Sequence, residues 1–357
     1  MGFLGKIFKK ESAVKIPRGF YNIPVQQVNR LTKDAVEIVF SIPEDLEGTF
    51  AFTPGQYLTI SIEIDGKEER RSYSICSAKG VALAIAVKEV EKGKVSTHLN
   101  RQLKAGDSVF ISKPEGRFLL NDAKKVVAIA AGSGITPIMS MAHEIEKTDA
   151  ASMKLVFANK TEQDILFREQ LRQLTKTETR YFLTQEVKEG FNQGRISKDA
   201  FMSIIKEDLG ILRSDGFYIC GPEEMIQGVK AALELFGVPA DKIHYELFTT
   251  AAKSDPTPAA PTDFKGTTKV KVILDDEAHD FVMNSNKTVL DAASSEEIDA
   301  PYSCRGGVCS TCRAKVLKGS VRMNLNYTLT DKEVEQGYIL TCQSHPTSEE
   351  LIISYDE

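Results

Sequence analysis

The spacing of apolar positions divides the chain into three stretches. From residue 18 to about 120, short runs alternate apolar and polar residues between Gly and Pro turns: VQQVNRLTKDAVEIVFSIP, FTPGQYLTISIEI, RRSYSICSA, ALAIAVKEV and DSVFISKP. Only GKVSTHLNRQL interrupts them with a helical pattern. Many short strands with such turns predict a barrel. From about 124 to 250, buried strands alternate with amphipathic helices: KVVAIAA then ITPIMSMAHEIEK, MKLVFAN then ILFREQLRQL, RYFLTQE then KDAFMSIIKED, GFYICG then EEMIQGVKAALELFG. That order predicts a parallel sheet of the nucleotide-binding type. The last stretch returns to period two at 269–276 (KVKVILDD), with HDFVMN as its hairpin partner. Thr288 and Asp291 form a capping-box start for a helix over TVLDAASSEE, and Thr330 with Glu333 repeats the device before a short helical turn. YILTCQ and LIISYD close this small sheet.

Residues 251–266 (AAKSDPTPAAPTDFKG) mix Ala, Pro, Thr and Ser with no hydrophobic period, which is linker chemistry. The chain is therefore expected to be a multidomain α+β protein. Its parts are a β-barrel over 18–121, an α/β parallel-sheet domain over 122–250, the linker, and a small sheet-and-helix domain over 267–357. A length of 357 residues supplies a core for each. The net charge of −5 argues against non-specific nucleic-acid binding. No apolar run is long enough to span a bilayer, and the longest, VVAIAA, is expected as a buried strand. The start MGFLGKIFKK lacks the apolar core of a secretory signal, and Lys6 stands where a myristoylation pattern requires Ser or Thr.

Four cysteines turn the question from fold to chemistry. Cys304, Cys309 and Cys312 read C-x4-C-x2-C, and Cys342 follows after 29 intervening residues, in PYSCRGGVCSTCRAK…ILTCQ. This is the spacing of plant-type [2Fe–2S] ferredoxins, whose small sheet packed on one helix is the β-grasp arrangement. A [2Fe–2S] rhomb needs four thiolates on two tetrahedral irons, and one short loop can supply three of them. Gly306 and Gly307 let that loop approach the inorganic sulfides and aim N–H groups at them. Zinc is the alternative, but structural zinc sites show two separated CxxC-type pairs, and only Cys309–Cys312 has that form here. A thioredoxin-like pair leaves Cys304 and Cys342 unexplained. None of the five histidines forms the C-x-H pair of a Rieske centre. Free thiolate ligands fit a reducing interior, so the expected location is the cytoplasm.

Other motifs lie upstream. In Arg71-Ser72-Tyr73-Ser74 a base, an aromatic and a hydroxyl suit a flavin's pyrophosphate, ring face and redox-active edge; an ordinary half-exposed strand is the alternative. Alternation places Ser74 opposite Arg71 and Tyr73, so a bend is expected there. Gly93 to Leu99 opens the barrel region's helix, with Ser96 as N-cap and either a phosphate site or a plain cap as its role. Gly132-Ser133-Gly134-Ile135-Thr136-Pro137 joins a buried strand to a helix; Pro137 excludes the G-x-G-x-x-G fingerprint, which leaves a phosphate-binding turn of another kind. Cys220-Gly221-Pro222 ends a later strand at the sheet's carboxyl edge, where ligands bind, although a free cysteine there is commonly structural.

Taken in order, RSYS, GKVSTHL, GSGITP and CGP ahead of the cysteine module resemble the ferredoxin–NADP reductase superfamily with a C-terminal plant-type ferredoxin domain. EERRSYSIC, NKTEQDILFR, IHYELF and GGVCSTCRAKVLKGSVRMNLNYTL narrow the likeness to the reductase components of phenylacetyl-CoA epoxidases. Lys160 departs from that family, which more often has arginine after the asparagine. The resemblance implies FAD on Arg71, Tyr73 and Ser74, with Val87, Lys88, Gly93, Val95 and Ser96 around the flavin and its pyrophosphate. It implies the nicotinamide nucleotide on Gly132, Thr136 and Pro137, with Gly221 and Cys220 beside the hydride path, so that Ser74 and Cys220 are the candidate catalytic pair. It also implies Cys304 and Cys309 on one iron and Cys312 and Cys342 on the other. The expected function is to pass electrons from NADPH (or NADH) through FAD and [2Fe–2S] to an oxygenase partner, with the di-iron phenylacetyl-CoA epoxidase first and another ring-hydroxylating or di-iron monooxygenase second. A binding module that holds a cluster or zinc and only binds nucleotide is the alternative from another class. NADPH is favoured because Asn159-Lys160-Thr161 stands where NADH-preferring folds place an acid, and Lys160 and Arg195 are cations for a 2′-phosphate, with Glu162 close by.

Overall fold

A computed structural model describes residues 16–248, 264 and 266–357. The expected linker lies almost wholly outside the described residues, and MGFLGKIFKK lies entirely outside them.

The period-two stretch folds as six antiparallel strands, β1 (Phe20–Thr32), β2 (Ala35–Phe40), β3 (Tyr57–Ile64), β4 (Lys67–Ser74), β5 (Ala84–Lys88) and β6 (Ser108–Ser112). They are ordered β4-β3-β6-β1-β2-β5, and a bridge from Ile75 to Ile85 joins the two ends into a barrel. Ile23, Ile38, Leu58, Ile60, Ile85 and Val87 fill it, as inward positions of alternating strands must. Helix α1 (Lys94–Arg101) leans on it through Val95 and Leu99. Ser96, expected as its N-cap, lies inside the helix. The cap is Gly93, and the Ser96 hydroxyl donates to the Gly93 carbonyl at 3.2 Å while accepting from Val90 N at 3.1 Å.

The α/β part contains β7 (Lys125–Ala131), α2 (Ile135–Lys147), β8 (Ser152–Asn159), α3 (Arg168–Gln173), β9 (Thr177–Leu183), β10 (Asn192–Gln193), α4 (Lys198–Glu207), β11 (Gly216–Gly221), α5 (Glu223–Leu235) and β12 (Ile243–Leu247). Its strands are all parallel in the order β10-β9-β8-β7-β11-β12, so strand order reverses between β7 and β11. Such a reversal opens a crevice at the carboxyl ends. The helix expected over ILFREQLRQL begins only at Arg168, because Phe167 takes a left-handed φ of 58° and Ile165–Phe167 is buried as loop.

The last part contains β13 (Thr267–Leu274), β14 (Glu277–Asn284), α6 (Val289–Ser295), β15 (Arg313–Lys318), β16 (Val321–Met323), α7 (Asp331–Glu335), β17 (Tyr338–Leu340), β18 (Ser344–Pro346) and β19 (Glu350–Ser354). Five of the strands form a sheet ordered β14-β13-β19-β15-β17, beside the pair β16-β18. Thr288 caps α6 through Asp291 N, and Thr330 and Glu333 complete a capping box on α7. Among the described residues no helix is long and apolar enough to cross a membrane.

Candidate functional site

The strand reversal opens a cavity of about 680 Å³. Gly132, Ser133 and Gly134 line it from the turn after β7, Asn159 and Lys160 from the end of β8, and Gly221 and Pro222 from the end of β11. Gly134 must be glycine, because a Cβ there would stand 2.1 Å from the Cys220 carbonyl oxygen. Asn159 is only 5% exposed, and neither atom of its amide has a partner. A buried orphan amide at a cavity wall fits a polar ligand. Lys88, Lys160, Arg195 and Lys198 surround the space against the single carboxylate of Glu224, which suits phosphate. Lys160 and Lys198 have no ion pair among the described residues, whereas Arg195 is bound to Glu224 at 3.2 Å and Lys88 to Asp34 at 3.6 Å. Thr136 and Pro137 do not line the cavity; they are buried in the first turn of α2, where the Thr136 hydroxyl donates to the Ser133 carbonyl at 3.0 Å.

Next to Gly221 of the cavity wall, Ser74, Cys220 and Glu246 come together. Cys220 and Glu246 are register partners on β11 and β12. Burial pushes the Cys220 thiol well up, and the nearby Glu246 carboxyl adds to the shift. Glu246 itself is raised to about 8 by burial, with the Ser74 hydroxyl opposing the shift. Its Oε2 is enclosed without a partner. Sequence alone missed Glu246: it sits inside IHYELF, and its partners are brought to it only by tertiary folding.

Strand β4 keeps an unbroken register through Ser74, so the expected bend is absent and Ser74 stays on the face opposite Arg71 and Tyr73. Tyr73 packs against the barrel core and Ser74 faces the α/β part. The Arg71 guanidinium is half-exposed, bound to Glu69 at 3.2 Å and to the Arg70 carbonyl at 2.7 Å. Val87 and Val95 are buried in the barrel core, and the Val87 carbonyl accepts from Asn100 Nδ2 at 3.0 Å.

The four cysteines sit as two pairs. Cys304 lies against Cys309, whose thiol hydrogen bond draws the Cys304 thiol down; Cys342 is lowered in the same way by Cys312. The N–H of Gly306 donates to Cys304 Sγ at 3.3 Å, and that of Cys304 to Cys309 Sγ at 3.5 Å. Gln343 Nε2 reaches Cys342 Sγ at 3.8 Å. Gly307 takes φ 75°, and a Cβ there would press on the Leu325 carbonyl at 3.1 Å. Among the described residues no three metal-binding side chains converge as a single-ion site. Two thiol pairs ringed by N–H donors fit a two-iron cluster. Of the acidic side chains on α7, Asp331, Glu333 and Glu335, Glu333 is used internally, because it pairs with Arg117 and accepts from Thr330 N.

Matches to known domain families define the class, an oxidoreductase with flavin, nucleotide and iron–sulfur parts. An oxidoreductase FAD-binding domain matches residues 22–119, an oxidoreductase NAD-binding domain 128–231, and a 2Fe-2S iron-sulfur cluster binding domain 272–347. The chain belongs to the family of FAD- and [2Fe–2S]-dependent reductases. It is 33% identical to one of the subunits of 1,2-phenylacetyl-CoA epoxidase from Escherichia coli (strain K12), over 94% of this chain and 98% of that one. It is 30% identical to the ferredoxin reductase component of 3-ketosteroid-9-alpha-monooxygenase from Rhodococcus rhodochrous, over 96% and 100%. The structure of phthalate dioxygenase reductase shares the fold, with TM-score 0.61 and 22% identity over 94% of this chain and 98% of that one. The cofactors of this electron-transfer enzyme are FAD, a nicotinamide nucleotide and a [2Fe–2S] cluster. FAD supplies what neither of the others can, acceptance of two electrons together and their release singly.

Proposed function

We propose that this reductase takes electrons from NADPH and delivers them to the di-iron oxygenase of a phenylacetyl-CoA epoxidase, in phenylacetate breakdown in the cytoplasm. The observation that carries this is the 33% identity with a component of such an epoxidase across nearly the full length of both chains. FAD is assigned to 18–121, with Arg71 on its pyrophosphate and Tyr73 and Ser74 at its ring. The nucleotide is assigned to 122–250, with its phosphates at Gly132 and its nicotinamide between Gly221, Cys220 and the flavin. The cluster is assigned to 267–357 on Cys304, Cys309, Cys312 and Cys342.

NADPH is supported by Lys160 and Lys198, cations at the cleft with no ion pair among the described residues. Glu162, which would repel a 2′-phosphate, is occupied by Arg168 and Lys188. A second acceptor class, a ring-hydroxylating oxygenase or another di-iron monooxygenase, is favoured by the 30% identity with the ketosteroid monooxygenase reductase. The test is reconstitution with each nucleotide and a phenylacetyl-CoA epoxidase complex, with analysis for oxygenated CoA product. NADPH-driven product supports the proposal. Dye reduction without product, together with turnover of a Rieske hydroxylase, moves the function to the second class, and equal specificity constants for NADH and NADPH overturn the nucleotide preference.

A further inference from the structure

The β3–β4 hairpin has two faces. Its register sets Tyr57 opposite Ser74, Thr59 opposite Ser72 and Ser61 opposite Arg70. Tyr57, Arg70 and Ser72 therefore share one face, away from Arg71 and Tyr73, and all three reach the cysteine domain. The Tyr57 hydroxyl donates to the Cys309 carbonyl at 2.5 Å and lies 3.0 Å from Thr311 Oγ1. The Ser72 hydroxyl donates to Ser303 Oγ at 2.7 Å. Arg70 Nη2 donates to Asp299 at 2.7 Å, and its guanidinium lies 4.6 Å from the centre of the Tyr302 ring.

We propose that this face is a built dock that holds the [2Fe–2S] domain in its electron-receiving pose, with Tyr57 as the positioning residue between flavin edge and cluster loop. The proposal rests on electrons passing from FAD to the cluster within this chain. Arg70 is only 2% exposed, and its charge is neutralised by Glu68 from its own strand and by Asp299 from the other domain. A buried cation that relies on a second domain for a carboxylate and a ring opposes undocking, since departure strips it of both. Gly116 makes room for the tyrosine: a Cβ there would stand 3.0 Å from the Tyr57 ring.

The placement of Tyr57 suits its role. One side of the residue adjoins Ser74 and the Glu246 carboxyl, at the candidate hydride site. The other side grips the backbone of Cys309, a cluster ligand. Each passage moves one electron from reduced FAD to the oxidised cluster, and the rate of such a jump falls steeply as the gap widens.

The test uses the full chain carrying FAD and cluster, with Tyr57→Phe, Asp299→Ala and the double variant, and with Thr311→Val as a milder change should the double variant fold poorly. Stopped-flow spectra after mixing with NADPH separate flavin reduction from cluster reduction, and hydrogen exchange follows the amides of 299–311. Flavin reduction in Asp299→Ala is expected to stay within about twofold of wild type, while cluster reduction in the double variant, measured against its own flavin reduction, slows roughly tenfold or more, equivalent to about 1.4 kcal/mol in barrier. Amide exchange over 299–311 is expected to accelerate in the same variants, and in Thr311→Val to a smaller degree. Unchanged cluster reduction in the variants overturns the dock, whatever exchange does. A wild type that reduces its flavin but never its cluster overturns both the dock and the electron path on which it rests.

Discussion

Glu246 shows how one side chain takes its properties from residues distant in sequence. Its carboxyl is raised from 4.5 to about 8 by burial beside Ser74 and Cys220. A carboxyl raised in the folded state stabilises the fold fully below its unfolded value, and that contribution is lost as pH climbs through the folded value. Wild type should therefore weaken relative to Glu246→Gln between about pH 4.5 and 8, at up to ~1.4 kcal/mol per pH unit. Thermal midpoints of the two cofactor-loaded proteins across that window check this, and parallel curves would refute it. The cysteines are the opposite case: three ligands lie within nine residues, 304–312, so the motif is local and legible. Glu246 has no such local mark.

At the scale of elements, the turn after β7 depends on one missing methyl group. Gly134→Ala would drive a Cβ to 2.1 Å from the Cys220 carbonyl oxygen and 2.6 Å from its carbon, both backbone atoms that cannot swing aside. The expected cost is about 1–3 kcal/mol of stability from overpacking, with weakened nucleotide binding, measurable by thermal unfolding and by nucleotide titration. Elements whose signal is local were legible in sequence: Thr288 and Thr330 cap helices as expected, although the reciprocal bond of a capping box forms only at Thr330. Those decided by packing were not. Ser96 looks like a cap, but the turn at Gly93 starts the helix earlier, and the apolar run 165–167 is buried as a loop by tertiary contacts where its composition reads as helix.

At the scale of the molecule, the cores of the flavin and nucleotide parts contain none of Cys304, Cys309, Cys312 and Cys342. Cys304→Ser should therefore abolish the cluster's absorbance and electron delivery to a partner while FAD content and NADPH-dependent dye reduction persist. Loss of all four together would show that the parts are not separable. The contacts between parts were illegible in sequence, since Tyr57 and Cys309 are 252 positions apart and neither segment's pattern mentions the other. One feature of the small sheet bears on how the protein is made. Strand β19, the last of its domain, lies in the middle, pairing in parallel with β13 and antiparallel with β15. The sheet cannot close around its ligands until residues 350–354 have left the ribosome, and domains fold in the order of synthesis. The four cysteines therefore gain their complete sheet only after the flavin and nucleotide parts, which precede them in the chain, have been synthesised.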